Sequence, residues 1–271
     1  MNKKDLSTHF VPFKDNKIKS LEKQWYTKAS QSTTREKFIE KADAWFKSTS
    51  LNRLSGWNQF DNVDYTLGCA HFIDSTAAKY GWNIQVLPFE YATYKLMGIQ
   101  QTKIEHLLPK VPLFITVPNW HFGGLRPEWD TVLQECSEKN IPVHIDFAWF
   151  ITAKNININL EHHCIKSFAM SFSKYGMTWN RCGLRWSKQR SLDSITIENH
   201  YYKNSNTNII SAAEYFIDHL PMDYLWSNYS DLNTKVCNEL DLTPTNIFHV
   251  AVDNQTGNKV GIGKIMSDLA R

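Results

Sequence analysis

Short apolar runs alternate with amphipathic stretches through the middle of the chain. Four of these runs have the length of buried strands, namely residues 84–87, 113–117, 141–146 and 165–170. Between them, apolar residues recur at helical spacing, as in the stretch that Pro127 opens. Because strands and helices alternate in this way, the pattern predicts an α/β fold with a mostly parallel sheet sandwiched by helices.

Further elements are predicted on both sides of this alternation. The segment 182–186 follows its neighbour too closely for a crossover connection, so it predicts an antiparallel strand. A capping box formed by Thr33 and Glu36 precedes an apolar helical face. Towards the end of the chain, the pattern predicts helices near 209–219 and 228–239 and an apolar run at 247–252.

Residues 1–31 form a polar, lysine-rich arm that contains four aromatic side chains, at Phe10, Phe13, Trp25 and Tyr26. An arm of this composition lies either on the body of its own fold or on a partner subunit. Binding to a membrane or a nucleic acid is the alternative, which the mixed charge of the arm disfavours.

Length and composition limit the class of protein. With 271 residues, of which 42% are hydrophobic, the chain can form one α/β domain spanning residues 1–271. A net charge of +3 is too small to indicate an extended basic surface for binding nucleic acid. No apolar run is long enough to span a bilayer. The five scattered cysteines suit reduced thiols. We therefore expect a soluble cytoplasmic protein with no membrane or nucleic-acid partner.

Candidate chemistry is concentrated where two of the predicted strands end. Lys174 follows the run 165–170, and a lysine that loses solvation there has a lowered pKa and a nucleophilic neutral amine. Arg181 carries a planar fork suited to a phosphate, and Asp146 ends the preceding strand. An aldehyde partner, a phosphate partner and an anion for a pyridine nitrogen are what pyridoxal phosphate (PLP) requires.

Other loops at the same edge of the sheet carry small or polar residues. Gly68, Cys69 and Ala70 begin a helix, where open N–H groups favour an anion; an ordinary tight helix start is the alternative. Asn119 lies in a loop bounded by proline and glycine after the run 113–117, at the edge where ligands bind in parallel sheets. The aromatic residues of 88–94 would either cover a flat heterocycle or pack in the core.

Three weaker motifs are rejected. Ser171-x-x-Lys174 matches the serine/lysine pattern of penicillin-binding enzymes, but the chain lacks their Lys-Thr-Gly strand. The segment 258–265 fails the phosphate-loop pattern at both ends. His162 and His163 have no third ligand at metal spacing, so no metal site is predicted.

Taken in order, these blocks resemble the fold-type-I PLP enzymes, the aspartate aminotransferase-like class I/II aminotransferases, with this chain as an unusually short member. The resemblance covers residues 60–190 well and the remainder weakly. Five blocks carry it: 68–70, Pro88 with Tyr91, 119–123, 146–149, and 171–174 with 181–183.

The resemblance implies a role for each matching residue. Lys174 would be the catalytic residue, which forms the internal aldimine (a Schiff base) with PLP and later shuttles the proton. Asp146 would pair with the pyridine nitrogen, and Tyr91 would stack on the ring. The remaining cofactor-binding residues would be the phosphate cup of Gly68, Cys69, Ala70, Ser171 and Arg181, with Asn119 and Trp149 near the ring.

The chain departs from the family pattern at several positions. Trp149 stands where many members have a tyrosine that hydrogen-bonds the ring hydroxyl, and tryptophan can only donate. The Asn-Pro-x-Gly loop is degenerate, so either Asn119 or His121 would take the role of its asparagine. No arginine matches the one that grips a substrate carboxylate, and Lys259 occupies a similar context as the substrate-binding residue.

The short chain bears on assembly. Little sequence remains for the small domain of the family, so we expect that domain to be reduced or absent, with the site either open or covered by a partner. The resemblance implies a homodimer, and the aromatic arm and the ten tryptophans favour one independently because aromatic residues are enriched in interfaces. The partner chain is expected to contribute residues to the pocket.

The predicted function is PLP-dependent chemistry at the Cα of a small amino-acid or amine substrate, with an aminotransferase as the first choice. A PLP-dependent lyase or decarboxylase on the same fold uses the same cofactor residues. The alternative from another class is a non-catalytic aminotransferase-like binding subunit.

Overall fold

The structure is a computed structural model that describes residue 6 and residues 10–28, 33–178 and 180–270, without the side chains of residues 26–28. Its strands are β1 (Arg53–Ser55), β2 (Asn62–Thr66), β3 (Gln85–Val86), β4 (Leu113–Thr116), β5 (Val143–Asp146), β6 (Asn157–Asn159), β7 (Ile165–Ser171), β8 (Gly183–Ser187), β9 (Leu242–Pro244), β10 (Val250–Asp253) and β11 (Lys259–Gly261). Its α-helices are α1 (Asn16–Lys28), α2 (Arg35–Lys47), α3 (Cys69–Lys79), α4 (Ala92–Leu96), α5 (Trp129–Glu138), α6 (Ser194–Thr196), α7 (Thr207–His219), α8 (Tyr224–Glu239) and α9 (Gly263–Leu269).

The central sheet has six strands in the order β2-β8-β7-β5-β4-β3. Strands β3, β4, β5 and β7 run parallel to one another, whereas β8 runs antiparallel to both β7 and β2. The predicted α/β class with a mostly parallel sheet is confirmed, and so is the antiparallel strand predicted at 182–186. Since the parallel strands share one direction, their carboxyl ends meet at one edge of the sheet.

Successive residues of β7 face opposite sides of the sheet, as the period of a strand requires. Phe168 packs on the side where Trp186 and Phe46 of α2 lie, with ring centroids of Phe168 and Trp186 5.1 Å apart. Ala169 packs on the other side with Phe72 of α3. Helices therefore cover both faces, which explains why the parallel strands are mostly apolar.

The predicted capping box at the start of α2 is wrong by one residue. Thr34, not Thr33, is the N-cap, and its hydroxyl accepts a hydrogen bond from the N–H of Lys37 at 3.3 Å. The Thr33 hydroxyl instead donates to Glu214 at 2.7 Å. Two adjacent threonines offer equivalent caps locally, so the contact with α7 decides between them.

A second, three-stranded antiparallel sheet has the order β11-β10-β9 and packs against α8, which also contacts α9. Helix α8 begins four residues before the predicted start at 228, because it continues through a kink at Tyr229. That the small domain is reduced or absent stays a prediction.

The described part of the N-terminal arm lies on the body of its own fold. Phe13, Ile18, Leu21 and Trp25 are buried in the main hydrophobic core. The side chain of Tyr26, like residues 1–5, 7–9 and 29–31, lies outside the described residues. Within the described ranges, every helix is too short or too polar to cross a membrane.

Candidate cofactor site

A cavity of about 670 Å³ opens at the carboxyl ends of the parallel strands. Thr116, Asp146 and Ser171 are the last residues of β4, β5 and β7, and all three line it. Nine of the ten residues predicted to bind the cofactor line this cavity: Gly68, Cys69, Ala70, Tyr91, Asp146, Trp149, Ser171, Lys174 and Arg181.

Lys174 lies in a 3₁₀ helix, Phe172–Tyr175, that begins directly after β7. Its Nζ is 4.1 Å from the ring centroid of Trp149. Burial lowers the pKa of Lys174, Asp146 raises it by attraction, and the positive charge of Arg181 lowers it further; the net direction is down. A lowered pKa increases the fraction of neutral amine, which is the nucleophilic form.

Asp146 is buried at the floor of the cavity and accepts a hydrogen bond from the N–H of Ala148 at 2.8 Å. Burial raises the pKa of Asp146, while the Cys69 thiol, the Ala148 N–H and Lys174 counteract that rise. A buried carboxylate of this kind gains most from a cationic partner that enters the cavity.

Gly68, which precedes α3, lies close to the hydroxyl of Ser171 at the cavity, and we call this pair the Gly68–Ser171 cradle. The φ of Gly68, +82°, is in the left-handed region, and an added Cβ would lie 2.9 Å from the Ser171 hydroxyl oxygen. Helix α3 begins at Cys69 without a side-chain cap, so its first N–H groups lack the acceptor that a cap would provide. Backbone N–H groups, a serine hydroxyl and a helix N-terminus together favour a phosphate.

Three further polar groups at the cavity are available to a ligand. The hydroxyl oxygens of Thr116 and Thr178 are buried and have no hydrogen-bond partner among the described residues. The Arg181 side chain is exposed, and the described part of the chain offers it no carboxylate partner within ion-pair distance. Buried polar atoms normally have partners, so the two threonine hydroxyls fit a polar ligand such as PLP, and the Arg181 guanidinium fits its phosphate.

Two predicted site residues lie outside the cavity wall. Asn119 is fully buried and its amide donates to the carbonyl oxygen of Phe89 at 3.1 Å, while its side-chain oxygen accepts from the N–H of His121. It therefore holds the loop, and the adjacent Trp120 lines the cavity instead. Lys259, half-buried in β11, does not line the cavity either.

The loop that contains Asn119 rests on a buried ion pair that the sequence analysis missed. Glu90 accepts from the N–H of Thr116 at 2.8 Å and from Arg126 at 3.2 Å. Burial raises the pKa of Glu90 to about 7, although Thr116 and Arg126 both oppose that rise. The pair fixes the end of β4 beside the cavity.

The N-terminal arm forms a wall of the cavity, which the sequence analysis did not predict. Phe10, Val11 and Pro12 line it, and the Phe10 ring lies 5.3 Å from Trp120 and 6.0 Å from Trp149. The arm is fastened nearby, because the N–H of Phe13 donates to Nδ1 of His249 at 3.1 Å. The described arm thus covers the site of its own chain.

Solved structures share this architecture at low sequence identity. Tyrosine aminotransferase from Leishmania infantum superposes with a TM-score of 0.62 at 9% identity, over 95% of this chain and 90% of that one. A PLP-bound C-S lyase from Staphylococcus hominis gives 0.59 at 12% identity, over 91% and 75%. L-threonine-O-3-phosphate decarboxylase from Porphyromonas gingivalis gives 0.56 at 13% identity, over 98% and 100%.

This chain has the fold of the fold-type-I enzymes. No protein-family model matches its sequence, and no curated protein does so either. The fold-type-I likeness is therefore structural, and its neighbours include aminotransferases, a lyase and a decarboxylase. The similarity shows the fold alone, and the reaction depends on the residues that line the cavity.

Proposed function

We propose that this chain is a PLP-dependent enzyme that acts at the Cα of a small amino-acid or amine substrate, and that it is an aminotransferase. One observation supports the proposal most directly: Lys174, Asp146 and the Gly68–Ser171 cradle line the same cavity. These three features supply an amine, an anion and a phosphate site, which is the set that PLP requires.

Each residue group has a separate task in this proposal. Gly68, Ser171 and Arg181 hold the phosphate, and Lys174 is the point of covalent attachment. When bound, PLP supplies an electron sink for the charge left by deprotonation at Cα. Asp146 keeps a proton on the pyridine nitrogen, because a buried carboxylate stabilises a cation beside it.

Lys174 is also the proposed base. Its lowered pKa leaves more neutral amine at neutral pH, and its Nζ lies over the Trp149 ring, which limits where the amine moves. A base with a pKa closer to the working pH transfers protons more efficiently. Phe10 and Trp120 shield the same space from water, which strengthens the electrostatic effect of Asp146.

Two other functions use the same residues. A PLP-dependent lyase or decarboxylase is the alternative on the same fold, and the named lyase and decarboxylase neighbours support it. Incubation with a panel of amino acids separates these reactions, because transamination yields a 2-oxo acid and needs an acceptor. Elimination releases ammonia, and decarboxylation releases carbon dioxide. A non-catalytic binding subunit would yield no product.

Cofactor attachment is tested by absorbance and reduction of the purified protein. After incubation with PLP the protein should be yellow, and borohydride should fix the cofactor on the peptide that contains Lys174. Lys174→Ala should abolish the fixed label, whereas Lys259→Ala, the matched lysine outside the cavity, should retain it. Fixation on another lysine, or no binding at all, would overturn the proposal.

We further propose that residues 1–271 act as one domain and that the protein is a cytoplasmic homodimer. The aromatic content of the chain supports the dimer, although the arm already covers the cavity from within the same chain. Sedimentation of the PLP-loaded protein at micromolar concentration should give twice the mass of the chain. A catalytically active monomer would contradict this.

A further inference from the structure

A second cavity, of about 570 Å³, lies at the opposite edge of the central sheet. Pro142 precedes β5 and Lys166 is near the start of β7, so the cavity lies at the amino ends of the parallel strands. The C-terminal end of α3, through Lys79, and the segment after β8 complete its wall. None of its lining residues is shared with the cofactor cavity.

The floor of this second cavity is polar, although it belongs to a buried sheet face. His144 pairs with Ser167 across β5 and β7, and Ser167 pairs with Ser187 across β7 and β8. Arg185 precedes Ser187 by two positions in β8, so all four residues point to the same face. Such a row of polar side chains is unusual on a covered sheet face, which is normally apolar.

His144 has an unpartnered nitrogen in this floor. Its residue exposure is 4%, its Nδ1 lies 2.7 Å from the Ser167 hydroxyl, and its Nε2 has no partner among the described residues. In the tautomer in which Ser167 donates to Nδ1, Nε2 carries a hydrogen that an anion can accept. Native proteins rarely leave such a buried atom without a partner.

The rim of the second cavity is strongly positive. The acidic residue that lines it, Asp193, is already paired with Arg185 at 2.5 Å, and Arg185 also contacts Asp64. Four other cations line the cavity without a carboxylate partner in the described part of the chain: Lys79, Lys166, Lys188 and Arg190.

Two of these cations already have other contacts. Lys188 donates to the carbonyl oxygen of His162 at 2.9 Å and lies 5.1 Å from the ring centroid of Phe60, and Lys166 donates to the carbonyl oxygen of His163 at 2.8 Å. Lys166 and Lys188 adjoin Ser167 and Ser187 in sequence, so their side chains point away from the polar floor and add positive charge near the cavity without facing into it. The exposed Lys79 and Arg190 are the lining cations that can contact an anion in the cavity directly.

We propose that the second cavity binds a small organic anion that carries at least two phosphate or carboxylate groups. Several cations around one cavity match several anionic groups better than one. The ring of Tyr80 and the exposed Leu192 add apolar surface for the organic body of the ligand. This site is independent of the cofactor, and it goes beyond the proposed aminotransferase activity.

Titration calorimetry on the full chain, after incubation with PLP, tests the proposal with pyrophosphate and citrate as probes at constant ionic strength. We expect saturable binding of at least one probe, and its preference distinguishes a phosphate from a polycarboxylate ligand. Lys79→Gln/Arg190→Gln, which removes two exposed cations of the cavity wall, should weaken binding at least about tenfold. Lys103→Gln/Lys264→Gln, which removes the same charge from two exposed lysines outside both cavities, should leave it unchanged.

One further variant and a folding control keep the result unambiguous. Arg181→Gln removes a cation from the cofactor cavity, so binding that disappears in this variant belongs to that cavity and would overturn the proposal. Lys79→Gln/Arg190→Gln changes only exposed side chains, so its melting temperature without anion should match that of the wild type and its loss of binding is not a loss of folding. No saturable binding up to about 10 mM probe, or equal losses in the two double variants, would also overturn the proposal.

Discussion

Nε2 of His249 lies 3.2 Å from the backbone carbonyl oxygen of Lys174, and it carries the hydrogen of that contact because Nδ1 accepts from the N–H of Phe13. One buried, neutral imidazole therefore connects the arm with the backbone of the proposed catalytic lysine. Burial lowers the pKa of His249 to about 3, the backbone of Lys174 opposes that change, and the charge of Lys174 adds to it.

Replacement of His249 by glutamine should remove a pH dependence of stability. Between pH 6.5 and 3 the unfolded chain binds a proton at this position and the folded chain does not. The free energy of unfolding of the wild type should therefore fall, relative to His249→Gln, by about 1.4 kcal/mol for each pH unit below 6.5.

Urea unfolding at several pH values measures this difference. His144 has a similarly lowered pKa, about 3, but it is present in both proteins and cancels in the comparison, as does Glu90. Parallel pH profiles of the two proteins would show that His249 titrates normally in the folded state.

Gly68→Ala should weaken PLP binding by at least about tenfold, because the new Cβ would displace the Ser171 hydroxyl from the cradle. Gly81→Ala is the matched control, since Gly81 also has a positive φ, of +60°, but its added Cβ would meet nothing within 4 Å. Gly81→Ala should lose about 1–2 kcal/mol of stability from backbone strain, and Gly68→Ala about 1–3 kcal/mol, because its ψ of −176° belongs to a region that almost only glycine adopts. If equilibrium dialysis gave the same PLP affinity for both variants, the Gly68–Ser171 cradle would have no part in PLP binding.

Asp146→Ala should still bind PLP but lose turnover by about a hundredfold or more, because the proton on the pyridine nitrogen is no longer stabilised. Asp146→Glu should retain more activity than Asp146→Ala. Rates of substrate-dependent change in cofactor absorbance give the comparison. If both variants turned over like the wild type, Asp146 would be a structural residue at the end of β5.

Arg181→Gln should raise the dissociation constant for PLP about tenfold, the usual value of a charged hydrogen bond. Arg181→Lys should restore part of the affinity, since lysine keeps the charge without the fork. Arg190→Gln provides the charge-matched control, because Arg190 lines the other cavity. An equal effect of Arg181→Gln and Arg190→Gln would point to the net charge of the protein instead.

The sequence correctly predicts the location of those site residues that lie at or just after the ends of strands. Asp146, Ser171 and Lys174 follow or end apolar runs, and a parallel sheet brings such ends together regardless of the rest of the fold. Their location in one cavity therefore follows from local pattern and topology, while their roles stay predictions.

The residues that the sequence analysis missed depend on contacts between distant positions. Phe13 and His249 are 236 positions apart, and Glu90 and Arg126 are 36 apart, so no periodicity reports either pair. Asn119 shows the same limit, because the loop turns its amide towards Phe89 and leaves Trp120 at the cavity. Side-chain direction in a loop is set by tertiary contacts, which spacing does not encode.

The contact between Phe13 and His249 also orders events during synthesis. The arm leaves the ribosome first, but its partner near β10 is made more than two hundred residues later. Until then this contact cannot hold Phe10 against Trp120 and Trp149, so the wall that the arm adds to the cavity is completed only after β10 has been made.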